Sequence, residues 1–172
     1  GASCDAAEVK TIADYQANFP MINYSGLAPY LVKVRERSFK AFLYEPPQCW
    51  VMTRGSTGNS KVIPATQTHL NQIYSCGARA IINYAVKKKN YDVFLGVILN
   101  LNFPSSVHTM TLDGKEVAYG YSSGTYARLN PMFDRVSLLP RQEEIDKLGS
   151  GIGRKDWEKR FELVYQQAKD QN

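Results

Sequence analysis

Residues 107–121 read Val-His-Thr-Met-Thr-Leu-Asp-Gly-Lys-Glu-Val-Ala-Tyr-Gly-Tyr, and this stretch decides the fold. Two runs with β-branched and aromatic residues flank the dipeptide Asp113-Gly114. Asp-Gly readily supplies the two positive φ angles of a type I′ turn, the turn that suits a two-residue hairpin loop. The sequence therefore predicts a β-hairpin with strands over 107–112 and 115–121.

Further elements follow on both sides of this hairpin. Apolar residues alternate from Tyr91 to Phe103, which predicts a strand with one buried face that Pro104 ends. A long helix is predicted to begin after Pro64, capped by Thr66 or Thr68, and to end at three consecutive lysines. Helical spacing also predicts a helix over 6–19 and two helices after Pro140.

The segment from Tyr30 onwards alternates in a different way, since charged residues occupy its second face. Lys33, Arg35 and Arg37 alternate with apolar residues, which predicts a strand with a basic face, continued towards Lys40. Residues 49–53 predict a second short strand. We expect residues 21–29 to form a connection.

This order of elements favours an α+β fold rather than alternating βαβ units. We expect a single domain over residues 1–172, with a mainly antiparallel sheet, helices packed on one face, and residues 1–5 as a disordered or linker terminus. No apolar run approaches the length of about 18 residues that a membrane-spanning helix needs.

Positive charge is concentrated in the middle of the chain. The formal net charge is +5, and residues 28–90 hold ten cations against two anions. Lys33, Arg35, Arg37 and Lys40 are therefore the candidate binding residues for an anionic partner such as a nucleic acid or another polyanion. Long basic side chains that merely cover the solvent face of an edge strand are the alternative.

The three cysteines leave the redox compartment open, because an odd number of ordinary density neither requires nor excludes an oxidising one. Cys49 and Cys76 lie in the body of the chain and are the predicted disulfide pair, which leaves Cys4 over. The terminal sequence Ala2-Ser3-Cys4 resembles the lipid-attachment site of a bacterial lipoprotein. This resemblance implies a periplasmic or extracellular location with membrane anchoring through Cys4.

Cysteine chemistry is the sharpest enzymatic alternative. Gln48-Cys49-Trp50-Val51 resembles the tetrapeptide around the nucleophile of transglutaminases and, more loosely, of papain-like proteases. The resemblance implies a thiol hydrolase or acyl transferase in which His108 takes the proton of the Cys49 thiol. A structural Cys49, buried or in a disulfide, is the competing interpretation.

Two hydroxyl-rich segments are interpreted as loops. The first resembles a phosphate-binding loop and reads Gly55-Ser-Thr-Gly-Asn-Ser-Lys61. It lacks the Gly-Lys-Ser/Thr ending of the nucleotide-binding motif. Ser122-Ser123-Gly124 follows the hairpin. The two histidines of the chain are too few to predict a metal site, and no cofactor is predicted.

These patterns together predict a non-enzymatic binding or assembly domain of an exported envelope protein. Eleven tyrosines suit an interface, because an apolar ring with a polar tip tolerates both wet and buried surroundings. A protein partner or a second copy of the chain is therefore the expected ligand.

Overall fold

The computed structural model describes residues 6–19, 21–36, 38–54, 60–130 and 136–171. About half of the chain is helical and a fifth is strand, in an α+β arrangement that confirms the predicted class. The helices are α1 (Ile12–Asn18), α2 (Tyr24–Glu36), α3 (Gln67–Lys88), α4 (Ser122–Leu129), α5 (Gln142–Asp146) and α6 (Arg154–Ala168). The strands are β1 (Pro47–Met52), β2 (Val62–Thr66), β3 (Val97–Leu99), β4 (His108–Leu112), β5 (Lys115–Tyr121) and β6 (Ser137–Leu139).

The central sheet is mixed rather than purely antiparallel. Its strand order is β2-β1-β5-β4. The outer pairs are antiparallel, whereas β1 and β5 run parallel and pair Val51 with Gly120 and Met52 with Tyr121. Parallel neighbours need a long crossover connection, which residues 53–114 supply. The carboxyl ends of β1 and β5 therefore meet at one edge of the sheet.

The predicted hairpin is confirmed. Asp113 and Gly114 both have positive φ, at 48° and 74°, and they join β4 to β5 with His108 opposite Tyr119 and Leu112 opposite Lys115. Glycine at the second position has no Cβ to strain, so the turn geometry follows from the dipeptide itself.

The predicted basic strand is wrong, because residues 30–36 belong to α2. Leu31 and Val34 are its buried residues, spaced three apart as one face of a helix requires. The alternation of Tyr30, Val32 and Val34 competed with this helical spacing, and burial of the helical stripe prevailed. The neighbouring residues 39–41 form a 3-10 turn rather than an extended continuation.

The predicted strand over 91–103 is also wrong for most of its length. Residues 92–94 form a 3-10 turn, Gly96 has φ of 84°, and only Val97–Leu99 remain as β3, paired in parallel with β6. The face expected to be buried is exposed, since all three residues of β3 lie at the surface. The positive φ at Gly96 separates the 3-10 turn from β3 and so interrupts the predicted strand.

The long helix is confirmed and α4 was missed. Thr66 caps α3 by accepting a hydrogen bond from the His69 amide at 3.3 Å, as predicted. Residues 122–124, interpreted as a loop, instead begin α4. A Cβ at Gly124 would overlap the carbonyl oxygen of Phe103, so the start of α4 packs directly on the backbone of residues 103–105.

Candidate functional site

The two parallel strands end beside each other at one edge of the sheet. β1 ends at Met52 and is followed by Thr53 and Arg54, while β5 ends at Tyr121 and leads directly into α4. Crevices outside the carboxyl ends of parallel strands are the usual ligand sites of open sheets, because the strands there deliver loops and helix starts to one place. This edge is therefore the first place to look for a site.

Aromatic rings line this edge. The rings of Phe103 and Trp157 lie 5.1 Å apart at an angle of 85°, and the ring of Tyr121 lies 4.9 Å from that of Phe103. The backbone of Phe103 is held at both ends, since its amide donates to Ser123 Oγ at 3.2 Å and its carbonyl accepts from Gln142 Nε2 at 3.1 Å. The rings thus form a fixed platform.

Two arginines lie over that platform. The guanidinium carbon of Arg160 is 4.2 Å from the ring centre of Phe103 and 3.9 Å from that of Trp157. The corresponding distances for Arg54 are 5.1 and 4.9 Å. Arg160 is 5% exposed, whereas Arg54 lies at the surface. We call Arg54, Phe103, Tyr121, Trp157 and Arg160 the arginine–aromatic cluster.

The cluster brings like charges together. Burial, with the repulsion of Arg54 as the second cause, lowers the pKa of Arg160. Arg160 Nη1 donates to the carbonyl of Asn102 at 3.2 Å. The ion pair between Arg154 and Glu158 lies outside the cluster. Two cations that share a platform, with no carboxylate paired to either among the described residues, make a place that favours an anion.

A segment rich in hydrogen-bond donors begins at Arg54. It reads Arg54-Gly-Ser-Thr-Gly-Asn-Ser-Lys61, and residues 55–59 lie outside the described part of the chain. Its two ends are joined, because the Thr53 amide donates to the Lys61 carbonyl at 2.9 Å and the Lys61 amide donates to Thr53 Oγ1 at 3.3 Å. The segment therefore starts and ends beside the cluster.

A second group of titratable side chains surrounds Cys49. The hydroxyl of Tyr74 donates to the Tyr126 carbonyl at 3.0 Å, and His69 Nε2 lies 3.2 Å from the Tyr126 hydroxyl. Burial raises the pKa of the Cys49 thiol, and Arg128 opposes this rise. The thiol is thus held in its protonated form at neutral pH.

The structure does not bring Cys49 and His108 together. β5 lies between β1 and β4, so two inter-strand spacings, about 9.5 Å, separate their backbones. The ring of His108 lies instead 5.6 Å from that of Tyr119, its cross-strand neighbour. The proposed thiol and imidazole pair is therefore wrong, and the raised thiol pKa removes its second requirement.

The predicted disulfide is wrong as well. Cys49 is a half-buried thiol on β1, and Cys76 is a free thiol on the solvent side of α3. The prediction depended only on the fact that both cysteines lie in the body of the chain. In the structure one thiol is half-buried and the other is exposed, and no bond joins them. Cys4, the predicted lipid-attachment residue, lies outside the described residues.

The predicted basic face is dispersed. Lys33 and Arg35 lie two positions apart on a helix and thus on different sides of it. Lys33 Nζ is 5.5 Å from the ring centre of Tyr30, and Arg35 lines a pocket of about 360 Å³ with Trp50 as an apolar wall. Lys40 lies in the 3-10 turn, and Arg37 is outside the described residues.

The described residues contain neither a candidate membrane-spanning helix nor a candidate metal-binding cluster. None of their helices is both long enough and apolar enough to cross a membrane. They also contain no group of three or more His, Cys, Asp or Glu residues that could hold a metal ion.

Sequence reasoning missed most of the arginine–aromatic cluster. Arg54 is one of the ten cations counted over residues 28–90 and was not singled out. The other members were not predicted as site residues: Phe103, Tyr121, Trp157 and Arg160. The available signal was the segment after β1, in which Gly, Ser and Thr stand between two cations. It points to an anion site even though the ending of the nucleotide-binding motif is lacking.

Comparison with protein families identifies the chain's relationship. The model described as the GH3 family N-terminal domain matches residues 1–148. The chain has no significant match among curated proteins or among solved structures. The family match points to an enzyme and overturns the prediction of a non-enzymatic binding or assembly domain. Since the match covers most of the sequence, the chain belongs to the GH3 family.

Proposed function

We propose that this chain carries the phosphate-binding part of an enzyme that uses a nucleoside triphosphate such as ATP. The observation that carries the proposal is the pair Arg54 and Arg160, which share one aromatic platform without a carboxylate partner among the described residues. Arginine is the side chain best suited to phosphate oxygens, because its planar fork donates two parallel hydrogen bonds.

The free protein sustains an electrostatic cost at this pair. Burial and the repulsion of Arg54 both disfavour the charged form of Arg160. A bound polyphosphate removes the repulsion and supplies acceptors for the guanidinium donors that the Asn102 carbonyl leaves unused. The site is therefore complementary to a multiply charged anion rather than to a neutral substrate.

The sequence after β1 supports the same ligand. Gly, Ser and Thr between Arg54 and Lys61 provide backbone amides and hydroxyl groups, the donors with which loops surround phosphate groups. The parallel strands β1 and β5 bring Arg54, where this segment begins, and the start of α4 to the same sheet edge. Nucleotides bind at such edges in open sheets that contain parallel strands.

Glycoside hydrolysis is a second candidate activity for this enzyme, and the geometry supports it less well than phosphate binding. That reaction needs two carboxyl groups facing one sugar across a cleft, about 5–9.5 Å apart. One described pocket has Asp113 as its carboxylate, and another has Glu143 and Glu144, which are consecutive on α5 and point to different sides. Arginines, not paired carboxylates, dominate the site at the sheet edge.

The test is a titration of the chain with ATP, followed by tryptophan fluorescence. The chain has two tryptophans: Trp50 is buried in β1, and Trp157 lies in the cluster. We expect saturable quenching that the substitution Trp157→Phe removes. Absence of saturable binding by the wild-type chain, checked by calorimetry, overturns the proposal.

Two arginines on α6 give a matched pair of variants. Arg160→Met keeps the apolar packing on the rings and removes the charge, and we expect it to weaken ATP binding about 10- to 100-fold, the value of one or two charge-assisted hydrogen bonds. Arg154→Met changes an exposed arginine paired with Glu158 and serves as the control. Equal affinities of the two variants would show that the cluster is not the binding site.

The other expectations about the molecule remain predictions. We infer no partner protein or second copy from the cluster, and the location of the protein is a separate question from its ligand. The free thiols of Cys49 and Cys76 leave no described disulfide to support an oxidising compartment.

A further inference from the structure

Tyr24, at the start of α2, contacts the far end of the donor-rich segment. Its hydroxyl accepts a hydrogen bond from the Val62 amide at 3.2 Å and donates one to the Val62 carbonyl at 3.3 Å. Its ring centre lies 5.8 Å from the ammonium nitrogen of Lys61. One side chain thus touches both the backbone and the charge at the place where the segment ends.

The hydroxyl occupies a position that a neighbouring strand would otherwise fill. β2 is an edge strand, and the backbone groups of Lys61 are directed towards Thr53. Because successive residues of a strand direct their backbone groups to opposite sides, those of Val62 are directed away from β1. Tyr24 satisfies both of them, so the edge is closed at this residue.

We propose that Tyr24 is a positioning residue for the phosphate site, acting through Lys61. This inference depends on the proposed function. A lysine has a flexible stem of four carbons, and fixing it on a ligand costs conformational entropy. By holding the ring beside the ammonium group and the hydroxyl on Val62, Tyr24 restricts Lys61 before the ligand arrives.

Stabilisation of the β2 edge alone is the competing role, and a double-mutant cycle separates the two. The variants are Tyr24→Leu, Lys61→Met and the combination, each titrated with ATP. If Tyr24 acts through Lys61, Tyr24→Leu weakens ATP binding about three- to tenfold in the wild-type chain. In a chain that already carries Lys61→Met, adding Tyr24→Leu does not weaken ATP binding further. Effects that multiply independently in the combined variant overturn the inference.

Two further variants separate the contacts of Tyr24 and control for folding. Tyr24→Phe keeps the ring and removes the hydroxyl, so it remains informative if Tyr24→Leu fails to fold. We expect it to lie between the wild type and Tyr24→Leu in ATP affinity. Tyr74→Phe removes a hydroxyl that also donates to a distant backbone carbonyl, but away from the cluster, and should leave ATP affinity unchanged.

The outcomes distinguish this inference from the proposed function. A wild-type chain that does not bind ATP contradicts the proposed function, and the cycle then has no basis. A wild-type chain that binds ATP, is weakened by Arg160→Met and shows no coupling between Tyr24 and Lys61 contradicts the role of Tyr24 alone.

Discussion

Two groups of polar and charged side chains lie on and just after β1, around Cys49 and around Arg54, and their electrostatics differ. Around Cys49, burial keeps a thiol protonated beside tyrosine hydroxyls and His69. After the strand, Arg54 joins the buried Arg160 on shared aromatic rings, and the two cations repel each other. The group around Cys49 has no unfavourable charge interaction when no ligand is bound. The two arginines repel each other, and a bound anion relieves that repulsion.

This difference shows why the cysteine attracted attention for the wrong reason. A reactive thiol needs an environment that favours the thiolate, such as a nearby cation or a helix start. Cys49 has the reverse, since burial outweighs the effect of Arg128. Repulsion between like charges is the better indicator of a site, because folding alone gives no reason to place them together.

The largest effect is expected where the backbone holds the cluster together. Gly124→Ala places a Cβ against the Phe103 carbonyl and within 2.8 Å of Gln142 Nε2. Since the nearest atom is backbone, the start of α4 or the platform residue must move, and we expect a loss of about 4 kcal/mol in the free energy of unfolding. Urea denaturation measures the loss.

Gly77→Ala is the matched control for that variant. A Cβ at Gly77 meets no atom within 4 Å, and the residue lies inside α3, where alanine is favoured over glycine by about 0.5–1 kcal/mol. We expect this variant to be neutral or more stable. If Gly124→Ala behaved in the same way, the close contact between α4 and Phe103 would be absent.

The second prediction concerns the reactivity of the half-buried Cys49 thiol. Because burial raises the pKa of Cys49, its thiolate fraction at neutral pH is smaller than that of an ordinary thiol. We expect iodoacetamide to modify exposed Cys76 roughly tenfold or more faster than Cys49, measured by mass spectrometry of a Cys4→Ser chain. The rate at Cys49 should continue to rise at pH values above the ordinary pKa of a thiol. Faster reaction of Cys49 at neutral pH would restore it as a candidate nucleophile.

The parts of the fold that the sequence predicted correctly have strong local signals. Asp113-Gly114 determines the hairpin, and Thr66 determines the start of α3. Residues 30–36 failed because an alternating pattern and a helical stripe share the same apolar positions, and packing decides between them. The strand at 91–103 failed because a 3-10 turn and a glycine with positive φ interrupt it, and most of its alternating apolar residues lie at the surface instead of in a core.

The candidate site was predictable only in part. Arg54 and Lys61 enclose a recognisable segment, so a phosphate ligand was within reach of sequence reasoning. Phe103, Trp157 and Arg160 come from distant parts of the chain, and no local pattern indicates that they share one platform. That information resides in the tertiary packing that brings α6 against Phe103.

The smallest expected effect tests the repulsion itself. Arg54→Gln removes one of the two cations on the shared rings, and added salt screens the same repulsion, with a screening length of about 10 Å at 0.1 M. Arg54 is exposed, so we expect salt to raise the free energy of unfolding of the wild type by a few tenths of a kcal/mol more than that of the variant. Urea denaturation in chloride salt at two concentrations measures this difference.

Arg79→Gln is the control for this variant. Arg79 is an exposed arginine on α3, so its substitution makes the same change in net charge, and the variant should respond to salt as the wild type does. An equal response of Arg54→Gln and the wild type would mean that Arg54 and Arg160 do not repel each other measurably, and the argument from like charges to an anion site would lose its basis.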